Sequence, residues 1–570
     1  MDIMASVNMI WILVAAALVF FMQAGFAMVE AGLTRAKNSG NIIMKNLMDF
    51  CLGTIVFWVF GYALMHGESI AGIFGIPNGK FLNPDGDLAA HMIFNTVFCA
   101  TAATIVSGAM AERTRFSCYC LYSVVISIFV YPISGHWIWG GGWLAGIGFH
   151  DFAGSTAVHM VGGVAALVGA KILGARIGKF GSDGKPRAIP GHNLTIAALG
   201  VFILWFCWFG FNGGSTFGAV DGDGSFAGTM AKVFLTTNMA PAVGAVTCMI
   251  ITWVRYKKPD VSMCLNGALA GLVAITAGTD VVTPVGAFFI GLIAGVAVIF
   301  GIEIIEKKFK IDDPVGAIAV HGICGALGTI MVGVFDETSG IWGAIAGNTP
   351  AGEAFKYLGI QILGVVVVIA WVSAVMIPLF LLLKKKMRMR VSPQEEIGGL
   401  DKYEHNLDSA YAGFSVMDLT EGHNKVASAE SIAIAGSVPP PPAAPVVKDG
   451  KTKMTKISMI IPQSKFETLK EAMNKIGVTG MTVTQVMGCG VQKGGTEYYR
   501  GSPIEITLLP KVKVEIIVSL VPVATVIDTA RRVLYTGNIG DGKIFTYDVE
   551  HVVRVRTGEE DFAALQDSDV

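Results

Sequence analysis

Charge is scarce in this chain. Only 15% of its 570 residues are Asp, Glu, Lys or Arg, whereas 53% are hydrophobic, and the mean hydropathy is +0.60. A water-soluble domain cannot enclose that much apolar surface, so most of the chain must be solvated by lipid. No basic stripe with interleaved aromatics occurs, which excludes nucleic acid as a ligand class. The net charge of -1 says nothing of partners; only the placement of the charges does. The nine cysteines lie almost all in apolar stretches and lack metal-type spacing. They support neither a disulfide framework nor a zinc site and read as small buried hydrophobes. The polar C-terminal part holds no nucleophile–base pair, which argues against an enzyme. The N-terminus lacks a basic region and a small-residue cleavage site, so the first apolar stretch reads as a retained helix rather than a signal peptide.

What is present in quantity is long apolar sequence. About eleven stretches reach spanning length, near residues 9–33, 47–66, 91–111, 118–138, 153–175, 195–212, 231–254, 262–279, 283–305, 316–335 and 357–383. They predict an all-α polytopic membrane protein. Lys and Arg alternate across the connections: Arg35, Lys37 and Lys45; Arg113 and Arg115; Arg176, Lys179, Lys185 and Arg187; Arg255, Lys257 and Lys258; Lys307, Lys308 and Lys310. The intervening connections carry almost none. The positive-inside rule then places the N-terminus outside and everything after about residue 390 in the cytoplasm.

One motif occurs twice. Asp151-Phe-Ala-Gly-Ser-Thr-Ala-Val-His159, with Gly163 four residues on, recurs as Asp313-Pro-Val-Gly-Ala-Ile-Ala-Val-His321, with Gly325 four residues on. Both histidines lie deep in apolar sequence. An ionisable group in hydrocarbon is costly and marks an ion or proton pathway. Two copies, one per half, predict inverted five-helix repeats with the pathway at their interface.

Composition changes after Arg390. Residues 392–452 read as a tail and linker between a membrane domain at 1–391 and a compact domain at 453–570, and Ser437 to Pro445 reads as a polyproline spacer. Beyond Lys453 the pattern predicts strand Ile457–Ile461, a helix opened by a Ser464–Glu467 capping box and strand Met481–Met487. A long polar loop from Gly488 to about Pro510 follows. Strand Val512–Val518, helix Val523–Leu534 and strands Ile544–Tyr547 and Val552–Val555 complete a ferredoxin-like α/β order. Gly537-Asn-Ile-Gly-Asp-Gly-Lys543, with Arg554 and Arg556, fits a polyphosphate as well as it fits a solvated glycine turn.

Residues 1 to about 412 resemble the ammonium transporters of the Amt/Mep/Rh family. The resemblance rests on Ala31-Gly-Leu-Thr-Arg-Ala-Lys-Asn38, Ala111-Glu-Arg-Thr-Arg-Phe116, Trp139-Gly-Gly-Gly142, the Asp151–His159 motif, Trp208-Phe-Gly-Phe-Asn212, and Asp312-Asp-Pro314 with His321. Residues 453–570 resemble PII nitrogen-regulatory proteins through Gln492-Lys-Gly-Gly-Thr-Glu-Tyr-Tyr-Arg500-Gly, Leu509-Pro-Lys511, Thr536-Gly-Asn-Ile-Gly-Asp-Gly-Lys543 and Arg554-Val-Arg-Thr-Gly-Glu-Glu560. Both families form trimers, which implies a homotrimer in the cytoplasmic membrane.

The resemblance implies a recruitment site at Phe98, Trp139 and Ser215, a gate of Phe98 and Phe211, and a pore histidine pair, His159 and His321. Ammonium or ammonia is the implied substrate, with methylammonium as its analogue, and transport needs no cofactor. Asp151 reads as an outer-mouth carboxylate or a helix cap, and Asp313 as structural. In the PII-like domain the resemblance assigns ATP or ADP to Thr482, Gly540, Gly542, Lys543, Arg554 and Arg556. It assigns Mg with 2-oxoglutarate to Gln492 and Lys511, and a pore-blocking role to Arg500 at the loop tip. Ile504 occupies the position of a uridylylated tyrosine, so that modification is expected to be absent; Ser502 remains a candidate phosphoacceptor. Val491 and Asn538 replace an arginine and a lysine common in the nucleotide site.

Three classes fit these residues: a transporter regulated in cis, an ammonium sensor signalling to soluble partners, and a neutral-gas channel of Rh type. The aromatic and serine recruitment site favours a cation-recruiting member over the last.

Overall fold

The computed structural model describes residues 3–76, 79–219, 228–407, 410, 454–462, 465–478, 480–488, 496–499, 502–505, 509–519, 521–535 and 540–565. The chain forms two compact units, each described by itself.

Among the described residues of the first unit, ten helices are long and apolar enough to cross a membrane. They are α1 (Ile3–Leu33), α2 (Ala36–His66), α3 (Gly86–Ala109), α4 (Phe116–Gly146), α5 (Ser155–Leu173), α6 (Leu194–Gly214), α7 (Gly228–Tyr256), α9 (Pro284–Lys308), α10 (Ile318–Phe335) and α11 (Ala351–Met387). The stretch expected at 262–279 is the shorter apolar helix α8 (Val261–Ile275), which turns at residues 276–280 cut short. Side chains fix the helix starts: Asn193 accepts from Ile196 N at 3.0 Å, Asp260 from Met263 N at 3.1 Å and Thr283 from Gly286 N at 3.1 Å. Large apolar side chains such as Phe202 and Val254 point outward, which only lipid or another apolar surface tolerates. The unit is a multi-pass membrane protein.

The duplicated motif folds twice in the same way. Asp151 accepts four backbone N–H groups, from Gly154, Ser155, Thr156 and Ala157, at 2.8–2.9 Å. Asp313 accepts from Gly316 at 3.0 Å and Ile318 at 2.8 Å. Each carboxylate thereby satisfies orphan amides of a helix start, and each following stretch, Ser155–Met160 and Ile318–Ile323, winds as a π-helix before the α-helix resumes. Such turns concentrate at functional sites.

At the Asp313 end an ion network ties the connections together. Asp312, 1% exposed, accepts from Arg176 N at 2.9 Å, Nε at 2.8 Å and Nη2 at 3.0 Å. Arg113 donates to the Asp312 carbonyl at 2.8 Å, and Glu112 accepts from Arg176 at 3.0 Å. The two arginines hold the Asp312 carboxyl well below the ordinary carboxylate range, against the opposing effect of burial. A depressed native value means that the stabilisation is complete above the unfolded value of about 3.9 and disappears as pH falls through the native one. The expected result is a melting temperature in detergent that this pair does not limit at neutral pH and that drops in strong acid. Asp312→Asn, which leaves the Arg176 guanidinium facing a neutral amide, should cost about 3–5 kcal/mol at pH 7. A variant melting with the parent would count against this.

The tail extends the first unit beyond the boundary at 391. Val391 N donates to Arg113 O at 3.1 Å, and Pro393–Gly398 is a short helix with a Ser392–Glu395 capping box. Leu400–His405 follows, where Asp401 accepts from Asn41 N at 2.7 Å and Gly40 N at 3.0 Å. The composition change at Arg390 therefore does not mark the end of the folded unit. The spacer itself lies outside the described residues.

The second unit is a four-stranded antiparallel sheet of β1 (Thr455–Pro462), β2 (Thr482–Gly488), β3 (Leu509–Val518) and β4 (Lys543–Asp548), in the order β2-β3-β1-β4. Helices α12 (Phe466–Lys475) and α13 (Val523–Leu534) give the strand-helix-strand order twice. Ile457, Met459 and Ile461 alternate inward from β1 onto Leu469, Met473, Val526 and Ala530. Within the expected long loop, Thr496–Tyr499 and Ser502–Glu505 pair as a short ribbon. α12 starts at Phe466 with Lys465 as its N-cap; Ser464 of the expected capping box lies outside the described residues. One expectation needs correcting. Val552–Val555 is no strand: Arg554 N bonds Glu559 O and Gly558 N bonds Arg554 O, both at 2.8 Å, so the chain turns back on itself, leaving one bridge from Val553 to Glu560.

Candidate functional site

The two motif helices cross at glycines. A Cβ on Gly163 would lie 2.2 Å from Gly322 N, and one on Gly325 would lie 2.6 Å from Ser155 O. Only bare Cα atoms allow that approach, and it brings the histidine one turn earlier on each helix together. His321 Nδ1 and His159 Nδ1 are 3.3 Å apart, with ring centroids 5.3 Å apart and planes 22° from parallel. Two imidazole nitrogens at this distance share one proton between them, so one ring donates and the other accepts. His159 Nε2 is buried with no hydrogen-bond partner, which leaves a polar atom for a passing molecule.

Aromatic rings enclose the pair. Trp208 stacks on His159 at 5.0 Å and 17°, and its indole is held by Thr276 Oγ1 at 2.9 Å. Phe211 approaches His159 at 5.4 Å and stacks on Phe98 at 4.0 Å and 12°. Phe98 meets Trp139 edge to face at 6.3 Å, and Ser215 Oγ donates to Phe211 O at 3.0 Å. The structure thus joins Trp139, Phe98, Phe211, His159 and His321 in one line, with Ser215 one turn beyond Phe211 on the same helix. A desolvated cation gains from ring faces before the line, and a charged, hydrated ion finds no polar lining between the stacked phenyl rings.

Asp151 stands beside this line, not in it. It is 4% exposed, its carboxylate is taken by backbone amides, and its carbonyl accepts the Trp139 indole N–H at 2.7 Å. It fixes both the helix start and the indole. Of its two sequence readings, the helix cap is the one its geometry serves. Trp208, Phe26 and Asn266 carried no role in the sequence reading. Trp208 sits three residues before Phe211 in a quoted motif, a signal that was available; Phe26 (6.1 Å from the His321 ring) and Asn266 gave none.

The second unit brings some residues together and separates others. Lys511 Nζ donates to Gly540 O at 2.9 Å, and Gly540 and Gly542 have φ of 119° and 121°, which L side chains rarely adopt. Lys543 is exposed beside them. Arg554 pairs with Glu559 at 2.8 Å. Thr482 is exposed at the mouth of a cleft with Gly480, Lys456 and Glu515. The register runs Thr482, Glu515, Ser458, Phe545 straight across the sheet, so Thr482 and β4 lie three strand spacings, about 14 Å, apart. Arg554 Nε donates to Ala564 O at 3.2 Å, and Ala564 lines the same cleft as Thr482, so within one chain it is Thr482 and the Gly540–Lys543 turn that do not converge. Gln492, Arg500, Val491 and Asn538 lie outside the described residues, and of Ser502 and Ile504 only the backbone is described.

Residues 10–411 match the Ammonium Transporter Family, and residues 454–559 match Nitrogen regulatory protein P-II. The chain belongs to the ammonium transporter family. Its C-terminal unit is a P-II domain. Ammonium transporter Amt2 of Archaeoglobus fulgidus is 48% identical over 416 residues, 70% of this chain and 87% of the relative. Ammonium transporter Amt1 of Haloferax mediterranei is 39% identical over 425 residues, 72% of this chain and 80% of the relative. Among solved structures, a Sensor Amt Protein is similar with TM-score 0.66 and 40% identity over 71% of this chain and 99% of its own. Mep2 of Candida albicans is similar with TM-score 0.61 and 27% identity, covering 68% of this chain and 87% of that one.

Proposed function

We propose that this chain carries ammonium across the cytoplasmic membrane through the His159–His321 pair, under control of its own P-II domain. The observation that carries the reading is the approach of two buried imidazole nitrogens to 3.3 Å behind the Phe98–Phe211 stack. Ammonium gathers at Trp139, Phe98 and Ser215, where ring faces and a hydroxyl replace part of its hydration. The stack excludes the hydrated cation. Ammonium gives up a proton, ammonia passes the rings by hydrogen bonding to imidazole, and the histidine pair relays the proton. Potassium has no proton to give up. The two five-helix halves are inverted, the N-terminus is outside and the P-II domain is cytoplasmic.

The assembly is a homotrimer. The separation of Thr482 from the Gly540, Gly542 and Lys543 turn across one sheet supports this, since two neighbouring P-II domains complete a nucleotide site that one cannot. The glycines, with Lys543 and the arginines, suit the phosphates of ATP or ADP. Gln492 and Lys511 suit Mg with 2-oxoglutarate. The absent phenol at Ile504 removes uridylylation as a control, and Ser502 is the candidate for phosphorylation. A nucleotide acts only through its differential affinity for two loop states. A tethered domain needs little affinity, because the linker holds it at an effective concentration on the order of millimolar.

With ADP the Arg500 loop blocks the inner mouth; with ATP, Mg and 2-oxoglutarate it withdraws. Arg500→Ala should therefore abolish inhibition of ammonium current by ADP in liposomes while leaving the uninhibited current at the parent level. Full inhibition of the variant by ADP would sink the plug. A second reading, an ammonium sensor with little flux that signals to soluble partners, is favoured by the likeness to the Sensor Amt Protein. It predicts negligible current both with and without residues 453–570.

A further inference from the structure

Past the histidine pair lies a narrow cavity of about 20 Å³, room for one molecule the size of water or ammonia. Phe26, Glu30, Asn266, Val315 and His321 line it. Two features are costly in a membrane helix bundle unless something uses them. Glu30 is an ionisable side chain only 3% exposed. Asn266 is 2% exposed, and its Nδ2 has no hydrogen-bond partner. A buried unpaired donor in the wall of an ammonia-sized cavity indicates a polar occupant.

Glu30 is held toward this space by what surrounds it. It follows Phe26 by one helical turn, and Phe26 borders the His321 ring at 6.1 Å. Ser107 Oγ donates to Glu30 Oε2 at 2.7 Å. A Cβ on Gly108 would meet Val315 at 2.3 Å and Glu30 Cγ at 3.6 Å, so the bare Cα makes the room the side chain occupies. From α2, Lys45 is 1% exposed; it donates to Ser107 O at 3.4 Å and lies 5.2 Å from the Tyr119 ring of α4. Asp49, also on α2, takes the hydroxyls of Thr104 and Ser123, and Asn46, whose Oδ1 is unpartnered, faces Glu30. Beyond α3, Glu112 and Arg113 are engaged by Arg176, the Asp312 carbonyl and other backbone carbonyls.

We propose that Glu30, with Asn266 opposite, is the site where ammonia and its proton recombine after passing the histidines. The inference rests on the transport reading above. A proton on a His321 ring nitrogen passes to a Glu30 carboxylate oxygen, the N–H bond breaking as the O–H bond forms. Ammonia in the cavity then takes that proton: its lone pair forms the fourth N–H bond, the O–H bond breaks, and ammonium departs from a regenerated carboxylate. Atoms and charge balance with no further reactant. Asn266 orients the molecule while the transfer occurs.

The test uses the full chain in liposomes. Glu30→Gln keeps size and hydrogen bonding but cannot cycle a proton, and should lower ammonium-evoked current about 10²-fold, the lower range for a positioned acid–base group. Glu30→Asp should retain more current than Glu30→Gln. Parent-level current in a folded Glu30→Gln would overturn the proposal. Should that variant fail to fold, Asn266→Ala serves: it removes the unpartnered donor that faces the cavity, so ammonium-evoked current should fall about 10-fold. Parent-level current in a folded Asn266→Ala would overturn the proposal equally. A parent chain that gives no ammonium current at all refutes the transport reading instead, which separates the two failures.

Discussion

Replacing His159 with aspartate is expected to turn a current evoked only by ammonium and methylammonium into one that potassium also carries. In the parent, the ring nitrogens 3.3 Å apart offer a cation between the rings no fixed negative charge. A carboxylate at that depth, walled by Trp208 and Phe211, would attract a cation at 4 Å by about 4 kcal/mol at an effective dielectric of 20. That corresponds to several hundredfold in occupancy, and it acts on potassium and ammonium alike. The proton relay would be broken in the same variant, so the gain in potassium current should come with loss of the ammonium preference. His321→Glu should behave likewise from the other side. A His159→Asp protein that remains impermeable to potassium while conducting ammonium would contradict the role given to the pair.

The second large effect is expected from a residue that touches no substrate. Gly163→Ala places a methyl 2.2 Å from Gly322 N and 2.4 Å from its Cα, both backbone atoms that cannot swing aside. The helices must part, and the histidine pair parts with them. The overpacking should cost about 1–3 kcal/mol of stability and nearly all ammonium current, since a shift of about 1 Å between acting groups already costs about 10²-fold. Gly322→Ala is the informative partner: its Cβ would sit 3.4 Å from Gly163 at the nearest, ordinary contact, so current should change little. Equal losses in the two variants would mean that the crossing distance is not what matters.

Much of the candidate site was legible in the sequence because the duplicated motif carries its own register. An aspartate eight residues before a histidine, and a glycine four after it, encode the cap, the acid–base group and the crossing point in one string. What the string conceals is three-dimensional. Asp151 could be read as a mouth residue because nothing local reveals that four amides converge on it. Glu30 and Asn266 sit on helices far from the motif in sequence, and only their shared cavity connects them. The apolar length of the stretch at 262–279 gave no sign that helix α8 stops at Ile275. In the P-II domain, Val-Val-Arg-Val at 552–555 is rich in β-branched residues, as a strand should be, yet the Arg554–Glu559 turn takes its backbone groups first. The tail after Arg390 is polar enough to pass for linker, and it is the bonds of Asp401 to the start of α2, of Glu396 to Ile177 N at 2.7 Å and of Val391 to Arg113 O that show it is folded.

The most direct test of the central claim is current across liposomes holding the full chain when ammonium, methylammonium or potassium is applied in turn. The account predicts saturable currents for the first two and none for potassium, because passage requires a cation that can release a proton ahead of the His159–His321 pair. Ammonium and potassium currents of equal size through the unmodified protein would contradict it.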